Sequence, residues 1–173
     1  EENGEFELFL QDGNDTITVD TELCWEITTA PAQYSIAPGS NTVEDLIFGL
    51  SNVSDYQNFS PYLHSGPTRC GFTVPYWLSL KNTGCTELTG KMGLVVSDLV
   101  EVIEMDIMPT SQSGDTLWWD NINLLQNATY QIKLQLKMPN EDFDGEIISM
   151  EALSFYQNDN SGLTAGTTYK YDA

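Results

Sequence analysis

His64 is the only histidine in the chain, so any Ser/His/Asp or Cys/His catalysis would rest on it alone. It lies in the polar stretch Tyr62-Leu63-His64-Ser65-Gly66, which reads as a loop, and no Gly-x-Ser-x-Gly elbow accompanies it. The expectation is a loop histidine with no catalytic part. A carboxylate pair for glycoside cleavage could be drawn almost anywhere among 26 Asp and Glu residues. A pattern that every pair satisfies points to no site, and the protein is expected not to be an enzyme.

Metal chemistry is weakly supplied. The loops Asp12-Gly13-Asn14-Asp15, Glu141-Asp142-Phe143-Asp144 and Asn158-Asp159-Asn160 group oxygen ligands closely. None follows the EF-hand spacing, and Asx-rich turns are what strands need as connections. No cofactor is expected, with Ca²⁺ at such a loop as the alternative. The three cysteines, Cys24, Cys70 and Cys85, form no CxxC pair and stand near no second ligand type at zinc spacing, so no metal residues are assigned. Four Asn-x-Ser/Thr triplets, at Asn14, Asn52, Asn58 and Asn127, read as exposed turns.

Charge narrows the partners. The 26 acidic residues stand against 6 Lys and Arg, a formal net charge of -20. Nucleic acid binding needs clustered cations to displace counterions, and an anionic membrane surface repels such a chain. The acid is spread along the sequence, as on a solvated surface that keeps an extracellular protein soluble. No apolar run approaches the about 18 residues of a membrane span, so no membrane insertion is expected. Glu1-Glu2-Asn3-Gly4 has neither the basic nor the apolar region of a signal peptide, and the chain reads as a mature, soluble part of a secreted protein.

The elements that must carry these residues are strands. Period-two alternation recurs throughout, and no segment holds a helical apolar face for three turns. Tyr130, Ile132, Leu134, Leu136 and Met138 alternate with Gln131, Lys133, Gln135 and Lys137 before Pro139. Phe72, Val74, Tyr76, Leu78 and Leu80 repeat the pattern up to the turn Asn82-Thr83-Gly84. The two strands are expected to pair or pack with their even-numbered residues inside, because a one-residue slip would bury Lys81, Lys133 and Lys137. Further runs are 92–96, 100–108, 117–124 and 147–155. Near the start, Phe6, Leu8 and Leu10 alternate, and Ile17 and Val19 return as a hairpin. Segments 25–29 and 46–50 add two short strands. The expected fold is all-β: an antiparallel Ig-like β-sandwich over 57–173, preceded by a smaller or partial β-strand module over 1–56.

The segment Ser65-Gly66-Pro67-Thr68-Arg69-Cys70-Gly71-Phe72, with Tyr76-Trp77-Leu78 and Lys81-Asn82-Thr83-Gly84-Cys85, resembles the Ig-like β-sandwich repeat of long adhesin-like proteins of gliding bacteria that use type IX secretion. Leu117, Trp119 and Leu124 stand where that repeat has its Trp stretch, Ile132, Leu134 and Pro139 in its next strand, and Tyr171-Asp172 at its end. The resemblance runs over about residues 57–172, and Ala173 stands where a Pro-Asn-Asp extension is usual. The earlier segment, from Gly4-Glu5-Phe6-Glu7-Leu8 to Phe48-Gly49-Leu50, is similar to the last strands of collagen-adhesin B-type stalk modules.

The resemblance implies a stalk or repeat unit with no catalytic residues: a non-catalytic structural or adhesive module, secreted or on the cell surface. Its partners would be neighbouring domains of the same polypeptide, and a polysaccharide or a surface protein. The alternative is a carbohydrate-binding module that uses exposed tryptophans. Parity puts Trp77 on the polar side of its strand and Trp118 opposite the core residue Trp119, so both are expected at the surface. With Asp120 and Asn121 as hydrogen-bonding neighbours they make the candidate ligand surface. Among the cysteines, Cys70 and Cys85 flank one strand, and eight extended residues span roughly 26 Å, so bridging them needs both flanks folded back. In an Ig-like sandwich the loop after the second strand lies nearer the preceding module, which favours Cys24 with Cys85. Cys24 with Cys70 comes next, and three free thiols stay open.

Overall fold

A computed structural model describes residues 5–9, 13–21, 23–37, 46–143, 145–158 and 162–172. The chain divides into two units, Glu1–Ser54 and Asp55–Ala173. The described residues are strands, turns and one 3₁₀ turn at Glu141–Phe143, so the protein is all-β and its sheets are antiparallel.

The described residues of the first unit form four short strands, β1 (Asp15–Thr18), β2 (Trp25–Ile27), β3 (Gln33–Ile36) and β4 (Leu50–Asn52). They make two ribbons, β1 with β3 and β2 with β4. Ile17 faces Tyr34 across the first ribbon, so the strand at 15–18 pairs forward with 33–36 and not back with the segment at Phe6–Leu8. Residues 5–9 carry no strand, and the expected hairpin is corrected accordingly. The apolar alternation there has another use: Phe6 and Tyr34 both lie against Phe48, with ring centroids 6.3 Å and 5.2 Å away. Leu10 lies outside the described residues, as do parts of all three oxygen-rich loops.

The second unit is a two-layer sandwich. Its strands are β5 (Phe59–Ser65), β6 (Thr73–Asn82), β7 (Leu88–Val95), β8 (Glu101–Met105), β9 (Ser111–Ser113), β10 (Thr116–Leu124), β11 (Thr129–Lys137), β12 (Ser149–Asn158), β13 (Gly162–Ala165) and β14 (Tyr169–Asp172). One sheet runs β5-β6-β11-β8. The other runs β9-β10-β7-β12, and β13 and β14 share the far side of β12 in succession. Between β6 and β12 the chain crosses from one layer to the other at every connection except β9–β10, so the core is built from residues distant in sequence.

β6 and β11 pair antiparallel with Leu78 opposite Ile132 and Tyr76 opposite Leu134. Val74, Tyr76, Leu78, Leu80, Ile132, Leu134, Leu136 and Met138 are buried, while Lys81, Lys133 and Lys137 are exposed. The even-in parity follows from the pleat: a one-residue slip would take three ammonium groups out of water. Phe72 is the exception, since it precedes the strand and is 61% exposed. From the facing sheet, Leu88, Met92, Leu94, Leu117, Trp119, Ile122, Leu124, Met150 and Ala152 complete the same core. The register of β10 against β7 shifts between Trp119 and Ile122, a bulge that takes up Asp120 and Asn121 and lets both flanking residues point inward. Asn121 sits there at φ 58°, a left-handed conformation that Asn tolerates better than most residues.

Candidate functional site

Outward-facing residues on the two sheets are the ones able to meet a partner. On β5, Phe59, Pro61 and Leu63 point inward, and Ser60, Tyr62 and His64 alternate with them on the outer face. His64 is therefore a strand residue, and the loop expected there is corrected. It lies directly across from Trp77 of β6, with the rings stacked at 5.0 Å and 12° between planes. Tyr62 continues the group, 5.7 Å from the His64 ring and 4.6 Å from Tyr169. Across the next pairing Trp77 faces Lys133 of β11, and one row along Gln131 Nε2 donates to Ser79 Oγ at 3.0 Å. Trp77 is half-buried and Tyr62 is 49% exposed.

The other outer face has its own aromatic group. Trp118 of β10 is paired with Gly93 of β7, and a Cβ at Gly93 would come within 2.6 Å of the indole ring. Glycine is needed there because the ring lies down on the strand. Lys91 Nζ stands 4.3 Å from the Trp118 ring centre, in a cation–π arrangement, and Phe155 of β12 packs 5.8 Å away. Trp118 is thus half-buried, covered by its own sheet, where parity alone expected it exposed.

The sequence grouped Trp77, Trp118, Asp120 and Asn121 as one ligand surface. The structure places Trp77 on the outside of the β5-β6-β11-β8 sheet and Trp118 on the outside of the opposite sheet, with the core between them. One ligand cannot stack on both. Asp120 is engaged locally, its Oδ2 accepting from the Thr110 hydroxyl at 2.6 Å, and Asn121 is exposed in the bulge. What the sequence did not bring out is that His64 and Tyr62 join Trp77. The signal was the alternation Phe59, Pro61, Leu63 just upstream, hidden by a proline that reads as a break but is tolerated on an edge strand.

Below the Tyr62 and Trp77 face lies a buried phenol group. Tyr76 and Tyr171 meet edge to face at 5.7 Å, and the Ser65 and Tyr171 hydroxyls are 2.5 Å apart. Burial, with the neighbouring Tyr171 adding to it, pushes the Tyr76 phenol well above its usual range, so it stays neutral. It is a structural group under the sheet and does not reach the surface.

Cys24 and Cys85 are each engaged in a disulfide, and Cys70 is a free, exposed thiol in the β5–β6 connection. Among the described residues no three His, Cys, Asp or Glu side chains are grouped so as to hold a metal ion. No helix among them is long and apolar enough to cross a membrane.

No known family matches the sequence, and no curated protein matches it. Among solved structures, the chain is similar at 14% identity and TM-score 0.43 to an inactive mutant of a GH20 exo beta-N-acetylglucosaminidase from Vibrio harveyi. That match covers 66% of this chain but only 17% of the other. A second likeness, to BslA, described as a bacterial hydrophobin, has 14% identity and TM-score 0.42, over 69% of this chain and 92% of that one. Neither bears on the function.

Proposed function

We propose that this chain is a non-catalytic structural and adhesive module of a larger bacterial protein, secreted or held at the cell surface. On this reading it belongs with the Ig-like repeats of adhesin-like surface proteins. The observation that carries the proposal is the make-up of the sandwich's outer faces. Both sheets present half-exposed aromatic rings, Tyr62, His64 and Trp77 on one and Trp118 and Phe155 on the other. A passive spacer would carry Thr, Lys or Glu at such positions, and exposed aromatic groups on a rigid sheet mark contact surfaces. The disulfide-bonded cysteines suit an oxidising compartment, and the net charge of -20 suits an exported, soluble chain.

The test is adhesion by the whole chain. Beads coated with it are brought against immobilised gliding bacteria and against beads coated with the same chain, with an unrelated acidic protein of similar charge as control. Attachment well above control to either surface is expected. Attachment no better than control to both would remove the adhesive reading, and sustained turnover of chromogenic glycosides by the purified chain would remove the non-catalytic one.

A further inference from the structure

Resting on that adhesive reading, we propose that the free edge of β8 takes up an extended segment of a partner protein in which Lys or Arg alternates with apolar residues. Three observations meet there. First, β8 ends its sheet: β11 pairs with it on one side, and no described strand pairs with it on the other. Backbone N–H and C=O groups along such an edge are the hydrogen-bonding half of a strand-addition site. The opposite margin of the sheet is unlike it, since β5 carries Pro61 and its Phe59 carbonyl already accepts from Thr167 N at 3.0 Å. β9, at a margin of the other sheet, is three polar residues, Ser111-Gln112-Ser113.

Second, the pleat sorts the side chains of β8. Glu104 lies across from Gln135 and Glu101 across from Lys137, on the outer face, whereas Val102 and Met105 lie across from Leu136 and Leu134. Val102 and Met105 pack on the core but are only partly buried, and Ile103, at the register shift, is 51% exposed. A strand laid beside β8 completes the burial of Val102 and Met105 with its apolar residues and sets its alternate residues beside the two carboxylates.

Third, local and overall charge agree on the occupant. Lys137 is a cross-strand neighbour of Glu101 on the β11 side, but Glu104 faces an uncharged glutamine, and Asp106 follows just beyond the strand. Cationic residues in the added strand meet opposite charge at the edge, and the net charge of -20 draws a basic segment in from a distance. A segment rich in Asp or Glu is refused on both counts.

The probe is the fluorescein-labelled heptapeptide Val-Lys-Val-Lys-Val-Lys-Val, titrated with the full chain and read by anisotropy. Its controls are the counterpart with Glu for Lys and a Lys twin with every backbone nitrogen methylated, which keeps the charge but cannot donate to a strand. Amide hydrogen exchange of the chain is followed with and without peptide. Binding is expected for the unmethylated Lys peptide alone, with new protection centred on residues 101–105. Glu101→Lys combined with Glu104→Lys should weaken binding about tenfold or more. Glu26→Lys combined with Asp115→Lys makes the same change of net charge elsewhere and should weaken it less than about threefold. All four side chains are exposed, so neither pair disturbs the core. The proposal is overturned if the Lys peptide does not bind, if its methylated twin binds as well, if protection appears elsewhere and not at 101–105, or if the two double variants lose binding equally. Protection of 101–105 that grows with the concentration of the chain itself and not with peptide would put a second copy there instead. Bead adhesion that persists without peptide binding would sink this site and leave the adhesive reading standing.

Discussion

At the scale of the residue, neighbouring tryptophans in one strand are given opposite work by the pleat. Trp119 is 2% exposed, and its Nε1 donates to the Ile107 carbonyl at 3.0 Å, so the indole fills the core without stranding its one polar atom. Trp118, one residue earlier, lies on the outer surface over Gly93. Trp119→Ala removes the largest fully buried side chain of the sandwich and is expected to cost about 3–5 kcal/mol, read as a fall in the urea midpoint at constant slope. Trp118→Ala, measured alongside, should cost clearly less. Equal losses at the two positions would show that the outer indole carries as much packing as the inner one.

At the scale of the element, what was legible in the sequence was whatever repeats with period two over a long strand. β6 and β11 run for nine or more residues each, and their alternation names both the buried side and the register that keeps Lys133 and Lys137 in water. β5 alternates just as cleanly, but its run is interrupted by Pro61 and closes on Gly66-Pro67, so His64 read as loop. The pairing of β1 with β3 was hidden for another reason. Strands of four residues carry too little pattern to choose a partner, and the choice is made by tertiary packing. The separation of Trp77 from Trp118 was out of reach too, since parity places a side chain on a face but does not tell which sheet the strand joins. One polar residue ties the elements together: Asn82, fully buried at the end of β6. Its Nδ2 donates to the Thr86 carbonyl at 2.8 Å and the Leu124 carbonyl at 2.9 Å, and its Oδ1 accepts from Gly84 N at 2.9 Å. That side chain fastens the β6–β7 turn to the end of β10 in the facing sheet. Asn82→Ala leaves these buried backbone groups unpaired and is expected to cost at least about 3 kcal/mol, at about 1–3 kcal/mol per stranded group. An unchanged unfolding midpoint would mean that water replaces the amide without loss.

At the scale of the whole molecule, charge is the dominant quantity. Twenty excess negative charges repel one another in the compact state, and that repulsion is screened by salt. Between 0.1 M and 1 M sodium chloride the screening length falls from about 10 Å to about 3 Å. The thermal midpoint is expected to rise, and each 1 kcal/mol gained should appear as about 2–4 °C for a chain of this size. A midpoint that stays flat or falls over that range would show that attractive ion pairs outweigh the net repulsion. The same charge bears on the margin of the sheet. β8 closes the β5-β6-β11-β8 sheet and is bonded on one side by β11, with Ile103 51% exposed between Glu101 and Glu104. An open strand margin with an outward isoleucine is a template onto which a second chain could add a strand, and a third after it. Here the guard against that is electrostatic, two carboxylates beside the open backbone, with no proline within the strand. A chain whose carboxylates are neutralised by modification, or a Glu104→Val variant at high protein concentration, would lose that guard and grow end over end into fibres, so the acidity of this protein is also its protection against becoming a filament.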